Sequence, residues 1–237
     1  MERLLVGFHV EGWDHLVLMA YLAKLLDISE DQIEPDVIER GNRGWLAVLE
    51  IAPKALKRFY GKCARCAVLA IDNDGNEDLR QSGAIEDPRH PRHANHVGTS
   101  NEDCRHCQLD QIVMRTRPEL NWIPAKPGAA WPVVIAVPVE AVEAWILATR
   151  AIVQGNDAPS FHAEQLRRSV LKQRLYGKPY ATKTDVERVA WPLIRELTAM
   201  RIDSLRSYSR SFSLFFEQVA IYREAILTDP GCWPSGT

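Results

Sequence analysis

Two aspartates, Asp72 and Asp74, directly follow the apolar run 67–71 and precede a glycine. A short apolar run of this kind is typical of a central strand in a parallel sheet, and such sheets bind ligands at the carboxyl ends of their strands. Side chains two residues apart on an extended chain point to the same side, so both carboxylates are predicted to face one site. Paired oxygen ligands suit Mg²⁺, although an Asx-rich turn after a core strand is a common alternative.

Acidic residues follow two further apolar runs. The run 4–8 leads to Glu11, and the run 133–137 leads to Glu143. Strands of a parallel sheet bind ligands at one edge, so acids that follow three strands are predicted to meet there. This pattern favours a divalent-metal site over scattered surface acids. The carboxylates predicted to form it are Glu11, Asp72, Asp74 and Glu143.

The elements that must position these acids are predicted to alternate between strand and helix. A helical apolar period follows the first strand over residues 16–26, and a helix is predicted to start after Pro138. A second strand is predicted at 33–39, and a helix at 45–60 with a break at Pro53. The predicted fold class is therefore α/β, with a parallel sheet flanked by helices.

The predicted α/β domain spans residues 1–150 and contains an insertion, and it is followed by a helical extension and a tail. The polar segment 75–128 is too long for a simple connection, and it predicts an insertion that an ion orders. Residues 151–228 are predicted to be a helical extension, and the tail 229–237, with two prolines and two glycines, is predicted to be disordered. The three helices of the extension are predicted at 161–175, 185–200 and 212–227.

Composition is ordinary for a globular protein and excludes several classes. The 237 residues are 46% apolar and 25% charged with a net charge of −2, so any binding of nucleic acid must use a local basic patch. No apolar run is long enough to span a membrane, and residues 1–3 lead into a strand without the layout of a signal peptide. The sequence lacks a P-loop and a Gly-x-Ser-x-Gly elbow, so this chain alone is not expected to hydrolyse ATP. Four of the five cysteines lie in Cys-x-x-Cys pairs, which favours metal binding in a reducing compartment and a cytoplasmic location.

The insertion contains a second group of residues with metal-binding chemistry. Cys104 and Cys107 place two thiolates on one tight turn, and tetrahedral Zn²⁺ needs two further nitrogen or sulfur ligands. Two histidines of the local set His90, His93 and His96 can supply them. We favour this arrangement, with His93 and His96 as the ligands.

A distant cysteine pair is the alternative source of ligands. Cys63 and Cys66 repeat the same spacing, and two such pairs are the stronger zinc signature. Cys66, however, adjoins the start of the strand that ends at Asp72, roughly 20 Å at about 3.3 Å per residue from the point where the insertion starts, although the insertion is long enough to reach back. In either arrangement four protein ligands would make the zinc structural, and a solvated loop with free thiols is a third interpretation.

A basic stretch over residues 166–183 contains no acid and is predicted to contact the substrate. Tyr176 and Tyr180 are interleaved with its cations and can stack on bases. An ordinary solvated helix face is the alternative. The predicted substrate-binding residues are Arg168, Lys172, Arg174, Lys178 and Lys183.

Several of these motifs resemble one bacterial family. A strand that ends in Glu11-Gly12, a later strand that ends in Asp72-Asn73-Asp74, and the helix between them look like the Toprim fold of topoisomerases, primases and OLD-type nucleases. The segment 138–147 resembles a Pro-Val-x-x-x-Glu-x-Trp-Leu-Leu signature of Toprim-like proteins that are often encoded beside ATPases. Two further segments are similar to the C-terminal part of that family: 178–180 and 209–216.

The resemblance implies a Mg²⁺- or Mn²⁺-dependent nuclease that cleaves DNA or RNA. It implies that Glu11, Asp72, Asp74 and Glu143 are the catalytic residues. It also implies an ATPase partner and a role as the effector of an anti-phage defence system. The alternatives are a non-catalytic regulatory module for an ATPase and a metal-dependent nucleotidyl or phosphoryl transferase.

The chain departs from the family pattern at two places. OLD-type nucleases carry Glu-Gly-x-Thr-Asp, whereas this chain has Glu11-Gly12-Trp13-Asp14, one residue shorter, so Asp14 is left out of the predicted ligands. The related family often has an arginine where this chain has Glu140, so Glu143 is the residue carried over.

Overall fold

The protein is described by a computed structural model over residues 3–39, 44–74, 89–120, 130–155 and 163–228. The tail 229–237, predicted to be disordered, lies outside the described residues, as do both ends of the predicted insertion.

Four parallel strands form one sheet within the described residues. They are β1 (Leu4–Val10), β2 (Ile33–Glu39), β3 (Cys66–Ala70) and β4 (Val133–Ala136). Their order across the sheet is β2-β1-β3-β4, and every neighbouring pair is parallel. The predicted α/β class with a parallel sheet is therefore confirmed.

Helices cover both faces of this sheet. Within the described residues they are α1 (Asp14–Leu26), α2 (Gly44–Gly61), α3 (Arg105–Thr116), α4 (Glu143–Val153), α5 (Arg168–Tyr176), α6 (Lys183–Arg195), α7 (Ala199–Tyr208) and α8 (Arg210–Thr228). Side chains alternate along β3, so Val68 belongs to the core that includes α1 and α4–α8, whereas Leu69 belongs to the core that includes α2 and α3. The predicted helical extension thus shares a core with the sheet. None of the described helices combines the length and apolar character needed to cross a membrane.

Helix α2 continues through Pro53, where a break was expected. Proline removes one backbone hydrogen bond, but the helix buries one side, including Phe59, against the sheet, and this packing holds it together. The close approach depends on Gly7 of β1, where an added Cβ would lie 2.2 Å from the Cγ of Phe59.

The helix predicted at 185–200 is two helices in the structure. α6 ends at Arg195, and α7 begins at Ala199. Thr198 is the N-cap of α7, and its hydroxyl accepts a hydrogen bond from the backbone N–H of Arg201. Threonine is a preferred N-cap residue, so Thr198 is the sequence signal for this boundary.

Strand β4 forms one edge of the sheet, and α8 covers it. The side-chain amide of Gln218 donates to the carbonyl of Ile135 and accepts from its N–H, each at 2.9 Å. The amide thereby satisfies backbone groups that a neighbouring strand would otherwise pair.

Candidate functional site

Five acidic residues lie at the carboxyl ends of β1, β3 and β4. Glu11 directly follows β1 and Asp14 begins α1, whereas Asp72 and Asp74 follow β3 and Glu143 begins α4. The side chains of Asp72 and Glu143 are 2% and 3% exposed, and Asp14 is also buried. The structure thus places the four predicted acids at one edge of the sheet. Asp14, which the sequence left out, lies with them.

The backbone around these acids continues the pairing of β3 with β4 beyond the regular strands. Asn73 donates its N–H to the carbonyl of Pro138 at 2.8 Å, and the N–H of Glu140 donates to the carbonyl of Asn73 at 3.1 Å. This pairing keeps the Asp72–Asp74 segment extended. Glu140 has φ +71°, a left-handed conformation in the turn that leads to Glu143 at the start of α4.

We call the group formed by these five acids the acidic site, and two cations of helix α5 point into it. Arg168 Nη1 lies 3.4 Å from Asp72 Oδ2, and Lys172 Nζ lies 3.5 Å from Glu143 Oε1. A third cation, Arg105, donates to Asp74 Oδ1 at 2.7 Å. Three positive charges therefore reach the site from two helices on opposite faces of the sheet.

Burial and mutual repulsion raise the pKa values of three of these acids, Glu11, Asp14 and Asp72. The pKa of Asp72 is well above its usual value because burial and the neighbouring Asp14 disfavour its ionised form, against the attraction of Arg168. Burial and Glu143 raise the pKa of Asp14 to about 7. Burial also raises the pKa of Glu11, where Arg168 opposes the shift and Asp74 adds to it.

The acidic site brings together more acids than cations. If all five acids were ionised, their charge would exceed that of Arg105, Arg168 and Lys172 by two, and the raised pKa values of Asp72 and Asp14 mean that bound protons offset part of this excess. Asp72 Oδ2 and Glu143 Oε2 are buried and make no hydrogen bond within the described part of the chain. An excess of carboxylates, with buried oxygens that make no hydrogen bond, is suited to binding one divalent cation.

A second group, which we call the knuckle, consists of His93, His96, Cys104 and Cys107. One ligand atom from each of these residues lies within 4.8 Å of every other, and the group can hold a metal ion such as zinc. Within the described residues, the acids at the strand ends do not form a group this compact. Cys104 and Cys107 are buried at the start of α3, and the two histidines are half-buried on the preceding segment.

The distances in the knuckle match tetrahedral coordination. Nδ1 of His93 lies 3.7 Å from the Sγ of Cys104 and 3.5 Å from the Sγ of Cys107. With Zn–S at about 2.3 Å and Zn–N at about 2.0–2.1 Å, neighbouring sulfur and nitrogen ligands lie about 3.6 Å apart. One ring nitrogen has a single lone pair and cannot accept from two thiols, so a shared ion explains the spacing better than hydrogen bonds do.

The alternative ligands predicted for this site lie elsewhere. Cys63 is exposed in the turn after α2, and Cys66 is buried as the first residue of β3, where burial raises the pKa of its thiol to about 12. Neither belongs to the knuckle, so the four-cysteine arrangement is not what the structure shows. His90 packs edge-on against the ring of Trp45, at 4.8 Å between ring centroids.

The remaining residues of the basic stretch do not reach the acidic site through any described contact. Lys178 pairs with Asp185 at 2.6 Å, Lys183 lies 3.8 Å from Glu187, and Arg174 is exposed. Arg168 and Lys172 face the acids instead of forming an open basic surface. His9, inside β1, has both ring nitrogens near backbone carbonyls and is a core residue.

A cavity of about 100 Å³ lies between the knuckle and the start of α8. Its apolar lining comes from the end of β4 and from Leu214. It is also lined by Asn73, which lies between Asp72 and Asp74 in the sequence. Charged and polar side chains complete its lining, among them Arg92, His93, His106, Glu164 and Arg210. Sequence reasoning did not find this cavity, because it joins residues that lie far apart in the chain.

Comparison of the chain with protein-family models, with curated proteins and with solved structures finds no match. The functional assignment therefore depends on the chemistry of the site.

Proposed function

We propose that this chain is a Mg²⁺- or Mn²⁺-dependent nuclease with a Toprim-like fold, which hydrolyses phosphodiester bonds of DNA or RNA at the acidic site. The observation that supports this most is the group of acids itself, in which Asp72 Oδ2 and Glu143 Oε2 are buried and make no hydrogen bond within the described residues, Asp72 Oδ2 having only Arg168 at 3.4 Å. Mg²⁺ is usually held by one or two carboxylates together with substrate phosphates, which suits a site of this kind. The resemblance to Toprim nucleases supports the choice of a phosphodiester as the substrate.

In this proposal each of the four acids predicted from the sequence has a role. Asp72 and Asp74 hold the metal, which when bound polarises the scissile phosphate and offsets charge in the transition state. Glu11 is the general base that takes a proton from the attacking water, because burial gives it a raised pKa and hence a greater affinity for the proton. Glu143 orients that water or completes a second metal site.

We further propose that the knuckle holds a structural Zn²⁺. Its four protein ligands leave no open position for a substrate, as in other structural zinc sites. The site would then stabilise the fold of the described residues 89–120 rather than take part in the reaction.

The test is incubation of the purified protein with plasmid DNA and with total RNA under Mg²⁺, Mn²⁺ or EDTA, alone and with any ATPase encoded beside it. We expect cleavage in one of the two metals and none in EDTA. Asp72→Asn should abolish it, because the variant removes a charged metal ligand and almost no volume. Asp203→Asn, at an exposed residue of α7, is the matched control and should cleave as the original protein does.

One observation favours a second candidate, a non-catalytic module that regulates an ATPase. Arg168 and Lys172 already contact Asp72 and Glu143, so the acidic site can serve as a buried ion-pair network without a metal. No cleavage of either nucleic acid by folded protein, with and without the ATPase, would contradict the nuclease proposal and favour this candidate.

A further inference from the structure

Arg105 lies between the two cysteines of the knuckle, in Cys104-Arg105-His106-Cys107. It is the first residue of α3, and its side chain is only 3% exposed. An arginine is seldom buried without a partner, so its contacts indicate what it does there.

These contacts join the knuckle to the acidic site. Nη1 of Arg105 donates to the backbone carbonyl of Asp72 and, at 2.7 Å, to Asp74 Oδ1. Its guanidinium lies over the ring of Trp45, 4.9 Å from the ring centroid, which holds the plane of the side chain. Nothing else in the described residues links α3 to the two aspartates through a charged hydrogen bond.

The peptide group between Asp72 and Asn73 makes a hydrogen bond through its carbonyl and another through its N–H. The carbonyl between Asp72 and Asn73 accepts from Arg105, and the N–H of the same peptide group donates to Pro138 at 2.8 Å. The orientation of this peptide group sets where both aspartate side chains point. Arg105 bonds one oxygen of Asp74, so the other oxygen remains available to a ligand.

We infer that Arg105 is a positioning residue through which a metal in the knuckle orders the Asp72–Asp74 segment. A metal bound by Cys104 and Cys107 fixes the backbone on both sides of Arg105, and the buried side chain transmits that order to the two aspartates. The acidic site is then correctly arranged only when the knuckle is occupied. This inference deepens the proposed function, since it concerns the same acidic site, but its test requires no cleavage.

The test is hydrogen exchange of the backbone amides, measured on the full chain with zinc bound and after removal of zinc by a chelator. The amide of Asn73 is the reporter, because its peptide group is the one that Arg105 holds. Loosening a hydrogen bond to a charged group should make exchange at Asn73 about tenfold faster, or more, when zinc is removed. Amides of β1 should change much less.

Variants of Arg105 distinguish an effect of zinc that acts through this side chain from a general loss of stability. Arg105→Gln with zinc bound should exchange at Asn73 as fast as the zinc-free original protein, and zinc removal should then add less than about twofold. Arg105→Lys keeps the charge but not the planar fork, and it should lie between the two. Arg115→Gln, on the exposed last turn of α3, is the matched control and should behave like the original protein.

Three results would overturn the inference. Exchange at Asn73 that does not respond to zinc removal would show that the two sites are independent. Zinc-loaded Arg105→Gln that exchanges like the original protein would exclude Arg105 as the connection. Equal acceleration in β1 and at Asn73 would mean that zinc stabilises the whole fold and not this segment. A protein that shows the coupling but cleaves nothing would leave this inference standing and contradict only the nuclease proposal.

Discussion

Nδ1 of His96 donates a hydrogen bond to the backbone carbonyl of Thr99 at 3.3 Å. The opposite ring nitrogen, Nε2, is buried and makes no hydrogen bond within the described residues. Metal-bound histidines characteristically donate their second ring N–H to a carbonyl or carboxylate, which fixes the tautomer and the ring orientation. The contact with Thr99 therefore leaves Nε2 of His96 ready to bind the metal of the knuckle.

The first prediction follows from this ligand set. Protein purified without chelators should contain about one equivalent of Zn²⁺, the content of a single four-coordinate site. Cys104→Ser should lower that content sharply and make residues 89–120 more sensitive to proteases, because metal binding contributes to the free energy of folding. Metal analysis and limited proteolysis measure both effects.

Cys63→Ser is the matched control for the first prediction. Cys63 is an exposed cysteine outside the knuckle, so this variant should keep its zinc and its resistance to proteases. Loss of zinc from the Cys63→Ser variant would instead support the four-cysteine arrangement. Absence of zinc from the original protein would contradict the proposed zinc site, and Cys104 and Cys107 would then be free thiols.

Much of the sheet and of the acidic edge follows from sequence. Apolar runs at 4–8, 67–71 and 133–137 predict three of the four strands, since a buried parallel strand requires a nearly continuous apolar run. Acids at the ends of those runs then share one edge of the sheet, as observed for Glu11 and Asp72.

The cations of the acidic site could not be predicted in the same way. Arg168 and Lys172 lie in a stretch without acids, which suggested an open basic surface, yet they turn towards carboxylates that come from other strands. Which face a helix turns inward depends on its tertiary packing, and the basic stretch has cations on more than one face. Arg105 was missed because its partners follow β3, about thirty residues earlier in the chain.

Asp14 gives a prediction about pH. Its pKa in the folded protein is about 7, whereas its ordinary value is 3.8, because burial and Glu143 disfavour the ionised form. The folded state thus keeps a proton that the unfolded state releases, so the contribution of Asp14 to the free energy of unfolding falls as the pH rises from about 4 to about 7. The fall amounts to roughly 4 kcal/mol at 1.4 kcal/mol per pH unit.

Asp14→Asn removes this dependence, and denaturant unfolding at pH 5 and pH 8 measures it. The variant should lose less stability between the two pH values than the original protein does, and it should be the more stable of the two at pH 8. Asp203→Asn, at an exposed site, should keep the original pH dependence. Parallel stability curves for Asp14→Asn and the original protein would show that the pKa of Asp14 is not raised in the folded state.

Divalent cations should stabilise the protein at the acidic site. A ligand that binds only the folded state adds RT ln(1 + [L]/Kd), or about 2.7 kcal/mol at a concentration one hundred times Kd. We expect Mg²⁺ or Mn²⁺ to raise the Tm of zinc-loaded protein, and to do so more at pH 8 than at pH 5.5. At the lower pH Asp14, whose pKa is about 7, is mostly protonated, and the raised pKa of Asp72 favours its protonation in the same direction, so protons compete with the metal.

Asp72→Asn should abolish this increase in Tm, because it removes a proposed ligand, and Asp203→Asn should keep it. The measurement is thermal unfolding in the presence and absence of the metal, and it requires no nucleic acid. A shift of equal size in Asp72→Asn would place the cation elsewhere on the surface.

The last prediction concerns the pair of Arg168 and Asp72. Asp72 is buried, and the guanidinium 3.4 Å away is the cation that it contacts most closely among the described residues. Arg168→Gln removes this compensation, so Asp72 must either stay ionised without a partner or bind a proton. We expect the free energy of unfolding at pH 8 to fall by about 2 kcal/mol, less than the roughly 3–5 kcal/mol of a fully buried pair because Arg168 is 35% exposed. Lys183→Gln, which breaks an exposed pair, should change stability by less than about 1 kcal/mol.

Combining Arg168→Gln with Asp72→Asn should restore most of the loss, because the buried charge is then gone as well. A double variant whose loss equals the sum of the two single losses would show that Arg168 and Asp72 are not coupled, and that Arg168 stabilises the fold by packing alone.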